Sequence, residues 1–328
     1  MSRLKKEPLL LFLALLAVLY VLIYIIPTVT GALRTTYTAE YGRLQVYDEQ
    51  KGYFVRTETV YTAAGSGSAN RYISEGDLVR KGTRILKLVP DSSNNSDEPS
   101  REFRNVLDRL GNHTVRTEAY TAGKEGVVTY SVDGYEAELT PETMLKKTES
   151  YYSRLERENV LDLPKTDISQ GDPVFKICDR MAWYIVCFVP SDHQKRYRKG
   201  NDISVRIDGR KTIRGEVYAV KKAGSGKTML IVETRDYYKG FAKTRVQDVR
   251  TITSDARGLL IPNSSISKKN GQQGVYVRQK NGNYKFTPIL VISTDGERSV
   301  IQSTSYTDPD GKLVDTVNNY DEILKRGR

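Results

Sequence analysis

A recurring turn constrains this chain most. Residues 74–89, SEGDLVRKGTRILKLV, hold a turn at Gly76-Asp77, a short apolar strand, a second turn at Gly82 and a strand from Ile85 to Val89. Residues 168–179, ISQGDPVFKICD, repeat the start of it, with Gly171 lying 95 positions after Gly76. Both copies read apolar–x–x–Gly–Asp–x–Val. A glycine in a tight turn takes a positive φ that a β-carbon would resist, and an Asp beside it hydrogen-bonds the turn's own amides. Gly76, Asp77, Gly82, Gly171 and Asp172 are expected to fill these architectural roles, with Gly126-Val127-Val128 as the strand that enters the second half. One copy would be a pair of turns. Two copies predict one small β-domain divided into halves, with something inserted between them.

The second constraint is a run without charge. Leu9 to Val29 is 21 residues long. As a helix it would span about 31 Å, against roughly 30 Å of bilayer hydrocarbon. The run is longer than the core of a signal peptide and no A-x-A cleavage site follows, so an uncleaved anchor is expected. Arg3, Lys5 and Lys6 precede it, which places the N-terminus in the cytoplasm and residues 31–328 outside, as a single-pass protein of the cell membrane. Tyr20, Tyr24 and Pro27 suit the interfacial zone at its outer end.

Between the two turns the chain reads as strands with two helical interruptions. Residues 30–50 read as a linker, and Tyr53, Val55, Thr57, Thr59 and Tyr61 alternate as a strand would. A short helix is expected at about 98–111, with Pro99 in its first turn, Gly111 as its stop, and Phe103, Val106, Leu107 and Leu110 on one face. A second is expected at about 140–158, with Thr140 as N-cap, Pro141 at its first position, and Met144, Leu145, Tyr151, Tyr152 and Leu155 on its apolar side. The two are short enough to pack as a hairpin. From Met181 onward the chain reads as almost all β.

The order of these parts resembles the HlyD-type membrane-fusion, or periplasmic adaptor, proteins. The resemblance is carried by residues 74–86, by GKEGVVTYSVDG (123–134), by residues 168–179, by WYIVCFVPSDHQKRYRKGNDISVRI (183–207), and by LLIPNSSI with GVYVRQKNGNYKFTPILV within 259–291. It implies a mainly β protein. The parts would be a cytoplasmic tail (1–8), a transmembrane anchor (9–29), a linker (30–50), a split lipoyl-like barrel-sandwich hybrid with the two helical inserts (51–180), a small β-barrel (181–257), and a membrane-proximal β-unit with a tail (258–328). The chain departs from the Gram-negative pattern, in which a long helical hairpin between the halves meets an outer-membrane channel. An arm of about 18 residues spans only about 27 Å, so the chain resembles a divergent, Gram-positive-type member. True lipoyl domains expose a modifiable lysine at a hairpin tip; Lys124 lacks the flanking residues of such a site, so no cofactor is expected.

Other signals point to no chemistry. Gly224-Ser225-Gly226-Lys227-Thr228 looks like the end of a phosphate loop, but Lys221 stands where the first glycine is required and strands flank it on both sides. Ser191, Asp192 and His193 are consecutive in one polar turn and cannot face each other as a triad. His113 and His193 stand too far apart in sequence to suggest a metal site. Cys178 and Cys187 read as two buried thiols in neighbouring strands, a disulfide being the alternative outside the membrane. Asn112 and Asn263 begin sequons that matter only in a eukaryotic secretory setting. Lys and Arg number 51 against 40 acidic residues, a net +11, yet they are scattered and no nucleic-acid motif accompanies them.

The sequence therefore implies a non-enzymatic, membrane-anchored adaptor. Its expected partners are a cytoplasmic-membrane transporter and further copies of itself. The alternative is a cell-envelope scaffold linked to division or wall synthesis. No catalytic or metal residues are expected in either case.

Overall fold

The computed structural model describes residues 6–21, 35–90, 98–156, 160–163, 166–238 and 240–326. An α-helix, Lys6–Tyr20, covers 15 residues of the N-terminal segment. Among the described residues no helix is long and apolar enough to cross a membrane. The remainder of the uncharged run, residues 22–29, lies outside the described residues. The body that follows forms two compact units, 47–253 and a second made of the N-terminal residues to 46 with 254–328.

The larger unit contains a sandwich. One sheet has five strands in the order Leu78–Val79, Gly126–Thr129, Pro173–Cys178, Glu58–Ala63 and Thr114–Thr117. The other has three, Asp167–Ile168, Gly67–Arg71 and Leu86–Val89. Both sheets combine strands from before and from after the first helical segment, as a divided domain requires. Val60, Val128, Phe175 and Ile177 from the first sheet bury against Leu86 and Ile168 from the second.

The same unit carries a closed six-stranded barrel, to which the strands Glu40–Val55 and Val246–Pro262 contribute residues 47–55 and 246–253. Its order is Asp202–Ile207, Lys211–Gly224, Lys227–Thr234, Trp183–Pro190, Glu40–Val55 and Val246–Pro262, and the last strand pairs again with the first. Alternation drives closure: Ile203, Val205 and Ile207 point inward to a core shared with Trp183, Ile185, Leu230 and Val249. One stave thus comes from outside the expected barrel span. Residues read as linker extend as the 16-residue strand Glu40–Val55, because Leu44, Val46 and Asp48 alternate as buried positions between more exposed neighbours; Leu44 packs with Ala256 and Val300, and Phe54 enters the barrel core. Its charged outward positions hid that period.

The smaller unit carries its own core of Ala39, Leu259, Ile261, Val275, Val277, Ile301 and Ile323. Its terminal strand Glu322–Leu324 pairs antiparallel with Thr36–Thr38, so residues expected in the linker are woven into this sheet.

The helical segments are shorter than expected. The first is a 3-10 turn, Arg101–Phe103, an α-helix, Arg104–Leu110, and a second 3-10 turn, Gly111–His113. The second is split. A 3-10 turn, Met144–Lys146, ends where Lys147 becomes extended (φ −81°, ψ 149°), and Thr148 then caps a separate α-helix, Glu149–Leu155. Residues 157–159, at the expected end of this helix, lie outside the described residues. The two segments join different cores and do not build a hairpin core of their own. Phe103, Val106 and Leu110 bury in the sandwich, whereas Met144, Tyr151, Tyr152 and Leu155 bury against barrel strands.

Candidate functional site at the junction of sandwich and barrel

The two Gly-Asp turns make the same set of bonds. Gly76 (φ +80°) donates its N–H to Val128 O at 2.9 Å, Val128 N–H returns to Asp77 O at 3.0 Å, and Asp77 N–H closes on Ser74 O at 3.2 Å. Gly171 (φ +87°) donates to Ala63 O at 2.9 Å, Ala63 N–H returns to Asp172 O at 2.9 Å, and Asp172 N–H closes on Ser169 O at 3.0 Å. In each turn the Asp side chain also accepts from the serine amide three residues back, at 3.2 Å for Asp77 and 2.9 Å for Asp172. Asp172, fully buried, goes further. It accepts from the Ser100 amide at 2.7 Å and the Ser100 hydroxyl at 2.8 Å, and so fixes the entry to the first helical segment. Gly82 (φ +85°) donates to Ala122 O at 2.7 Å. Gly126 sits in a strand, where a β-carbon would lie 2.4 Å from Cys178 O.

The first turn also meets the barrel: Tyr237 donates its hydroxyl to Gly76 O at 2.5 Å. Beside this contact lies a charge cluster that the sequence did not announce. Arg56, Glu58, Asp133, Glu136, Lys176 and Arg245 have side chains at most 6 % exposed. Arg56 Nε and Lys176 Nζ both reach Glu58 Oε1 at 2.9 Å. Arg245 Nη2 reaches Glu58 Oε2 at 2.6 Å, and its Nε reaches Asp133 Oδ2 at 2.6 Å. Lys176 also donates to Glu136 Oε1 at 3.0 Å. Arg56 donates to the carbonyls of Phe241 and Thr244, in the segment that leads into the barrel strand Val246–Pro262. Sandwich strands supply Glu58 and Lys176, the loop after Ser131–Val132 supplies Asp133 and Glu136, and Arg245 precedes that barrel strand.

Burial alone would raise Glu58, but the charges of Arg245, Arg56 and Lys176 hold its carboxyl well below the usual range. Asp133 is likewise held low by Arg245 and Lys176 against the cost of burial. Glu136 goes the other way: burial, with Asp133 beside it, pushes its carboxyl up. Burial pushes the Cys178 thiol up to about 12, so it is no nucleophile at neutral pH. Buried ions are expensive unless each finds partners, so removing any single member leaves an uncompensated charge.

The loop that supplies Asp133 and Glu136 continues as a strap over the barrel. Leu139, Met144, Tyr151, Tyr152 and Leu155 pack against Tyr53, Val55, Val186, Met229 and Ile231. Each fully buried apolar side chain contributes about 1.5–3 kcal/mol. Tyr152 stacks near Tyr53 and Phe188 at centroid distances of 5.1 and 5.6 Å and donates to Met144 O at 2.9 Å. Lys221 donates to Leu145 O at 3.1 Å, and Lys227 pairs with Glu149 at 2.6 Å. The Gly-Ser-Gly-Lys segment is thus a hairpin turn, with Ser225 at φ +49° and Gly226 at φ +71°, whose lysine secures the strap.

His193 Nδ1 lies 2.6 Å from Asp48 Oδ1, which also accepts from Arg196 Nη1 at 3.1 Å. Tyr197 donates to the same carboxylate. This group ties the 3-10 turn Ser191–Arg196 to the strand Glu40–Val55. Ser191 Oγ instead contacts Thr228 Oγ1, at 3.4 Å. Cys178 and Cys187 are free, buried thiols in different sheets. Among the described residues no group of three or more His, Cys, Asp or Glu could hold a metal. What the junction can do is mechanical: it fastens one β-domain to the next.

Residues 58–179 match the family described as RND related, barrel-sandwich hybrid domain. Residues 183–255 match the RND related, beta-barrel domain. No curated protein matches the sequence. Among solved structures the chain is similar to MacA from Actinobacillus actinomycetemcomitans, at 11% identity over 89% of this chain and 99% of that one, with a TM-score of 0.34. It is similar to ZneB from Cupriavidus metallidurans at 10% identity, over 90% and 92% of the two chains, with a TM-score of 0.28. It is similar to the membrane fusion protein Spr0693 from Streptococcus pneumoniae R6 at 12% identity, over 62% and 98%, with a TM-score of 0.28. The two domain matches together span more than half of the chain.

Proposed function

The chain belongs to the RND-related family that joins a barrel-sandwich hybrid domain to a β-barrel domain, and from that premise we propose that it is a non-enzymatic, membrane-anchored adaptor subunit of an efflux or secretion assembly. The observation that carries this reading is the tandem of the two family domains. The uncharged run Leu9 to Val29, behind Arg3, Lys5 and Lys6, serves as the single-pass anchor and leaves residues 31–328 outside the cytoplasm. The sandwich is taken as about 58–180, the barrel as 181–257 with the stave Glu40–Val55, and the membrane-proximal unit as 258–328 with the strand Thr36–Thr38. Copies of the chain assemble beside a membrane transporter, and the fastened junction lets sandwich and barrel move together. Among the described residues the α-helices of the inserts have seven residues each, about 10 Å. That reach suits a single-membrane envelope rather than a distant outer-membrane channel.

The same short helices favour a second reading, an envelope scaffold for division or wall synthesis. Deletion of the gene separates the two. Loss of export or raised drug sensitivity, with normal septa, supports the adaptor; altered septa or cell shape with unchanged export supports the scaffold and overturns it.

A further inference from the structure

We propose that residues 268–271 of the smaller unit, with Lys325 and Arg326 of the tail at the same end, form a lipid-docking surface that rests on anionic headgroups of the leaflet from which the chain emerges. The inference rests on the single-pass anchor of the proposed function. Six residues, 30–35, link the end of the uncharged run at Val29 to the strand Thr36–Thr38. Fully extended, six residues reach at most about 22 Å, which bounds the distance from Thr36 to the hydrocarbon edge.

The register of the sheet fixes what lies at that end. Thr36 pairs with Leu324 and Val277 pairs with Ile323, so Thr36 stands level with Tyr276 of the strand Gln272–Arg278. The chain arrives from the Gln272 side, where the Lys325 amide donates to Thr35 O at 3.1 Å. Gln272 lies four residues beyond the level of Thr36, about 13 Å. It pairs with Lys269 across the tight turn Asn270-Gly271, whose φ angles are +51° and +82°. The turn therefore protrudes past Thr36 toward the bilayer, and even a fully extended link leaves it within about 9 Å of the hydrocarbon. A headgroup layer is about 5–8 Å deep, so the long lysine side chains of the turn reach it.

The side chains at this end suit anionic headgroups. Lys268, Lys269, Lys325 and Arg326 are exposed, and none has a carboxylate partner among the described residues. Ser264 donates to Lys325 O at 2.7 Å and holds the tail in place. Gln272 Nε2 donates to the Tyr306 hydroxyl at 3.2 Å, which seats the hairpin of Ser305–Thr307 and Leu313–Asp315 beside the turn. Leu313, 66 % exposed, adds an apolar contact. Acids are present too: Asp308 and Asp310 at the hairpin tip, and Asp295 and Glu297 in the turn beside Asn263. Asp308 and Asp295 each accept two amides of their own turns. With Lys312 and Arg298 counted, six cations stand against these four carboxylates. A leaflet of anionic lipid attracts such an excess at contact range, and salt screens the attraction.

The test uses the full chain in lipid nanodiscs with a fluorophore on Gln273→Cys, level with Lys268, or on Asn283→Cys, in the turn at the opposite end of the same strand. Both positions are exposed, and the two native thiols are buried. Quenching by lipid spin-labelled at its headgroup is read in neutral discs and in discs with about 30 % phosphatidylglycerol. Strong quenching at residue 273 and little at residue 283 is expected in the anionic discs. The signal at 273 should fall at least about twofold in neutral discs, in about 0.5 M salt, and in a Lys268→Glu, Lys269→Glu protein. Equal quenching at the two positions, or quenching at 273 indifferent to lipid charge, overturns the proposal and leaves the anchor standing, because co-elution of the chain with the discs reads the anchor separately. A chain that does not co-elute refutes the anchor and the proposal with it. Lipid and salt dependence are measured without the lysine substitutions, so they decide the matter even where the charge-reversed protein fails to fold.

Discussion

Arg245 is the member of the buried cluster whose loss should be felt most. It is 4 % exposed and bridges Asp133 and Glu58 through contacts of 2.6 Å to each, with a further bond to Phe54 O at 3.3 Å. Arg245→Met fills similar volume but takes the buried Asp133 from its ion-pair partner and leaves Glu58 with Arg56 and Lys176 alone. Breaking a buried ion pair from one side costs about 3–5 kcal/mol. With a urea m-value of about 2–3 kcal/mol/M for a unit of this size, the midpoint should fall by about 1–2.5 M. Trp183, the single tryptophan, reports on it directly, since it packs on Phe54 at 5.3 Å and Phe241 at 5.4 Å. The pH dependence fixes the mechanism. Glu58 and Asp133 are held below their ordinary values, so their stabilisation is present above those values and is lost as pH falls through the lowered ones. The gap between wild type and variant should hold from pH 7 down to about 4.3 and narrow as pH falls below that value. A midpoint shift under about 0.3 M at pH 7, or a gap that does not change with pH, would refute the charge-cluster reasoning.

Asp172→Ala removes three bonds to Ser100 and Ser169 and should cost about 2–3 kcal/mol, with faster tryptic cleavage at Arg101 and Arg104; Asp77→Ala removes one exposed contact and should cost about 0.5 kcal/mol. Gly126→Ala, forced against Cys178 O and Ile177, should destabilise by about 1–3 kcal/mol, whereas Gly65→Ala, with open space around it, should be near neutral in the same urea titration. Both thiols are buried and pushed up to about 12, so a maleimide at pH 7.5 should label neither Cys178 nor Cys187 until urea unfolds the larger unit.

The Gly-Asp turns were legible because a turn is a local object: its glycine, its aspartate and its serine lie within four residues. The strands from Met181 on were legible because period-2 alternation is local too. The strand Glu40–Val55 was not, because its outward face is charged and its inward residues bury against partners some 200 positions away. The junction was harder still. Arg56 and Arg245 meet across 189 positions of sequence, and each alone looks like a solvated cation. One clue was present: Lys176 stands in Val174-Phe175-Lys176-Ile177-Cys178, where a strand buried on both faces cannot hold a cation without a buried anion. The second helical segment misled for a related reason. Its apolar residues fit one helical face, but Lys147 and Thr148 break the helix so that those residues can lie along the barrel.

Whether the chain is an adaptor is decided most directly by photo-crosslinking from exposed positions of its ectodomain in native membranes, with the captured partners identified by mass spectrometry. The adaptor reading predicts two products, the chain joined to itself and the chain joined to a polytopic membrane transporter. Monomer alone, or capture of division or wall-synthesis proteins with no transporter, would contradict it.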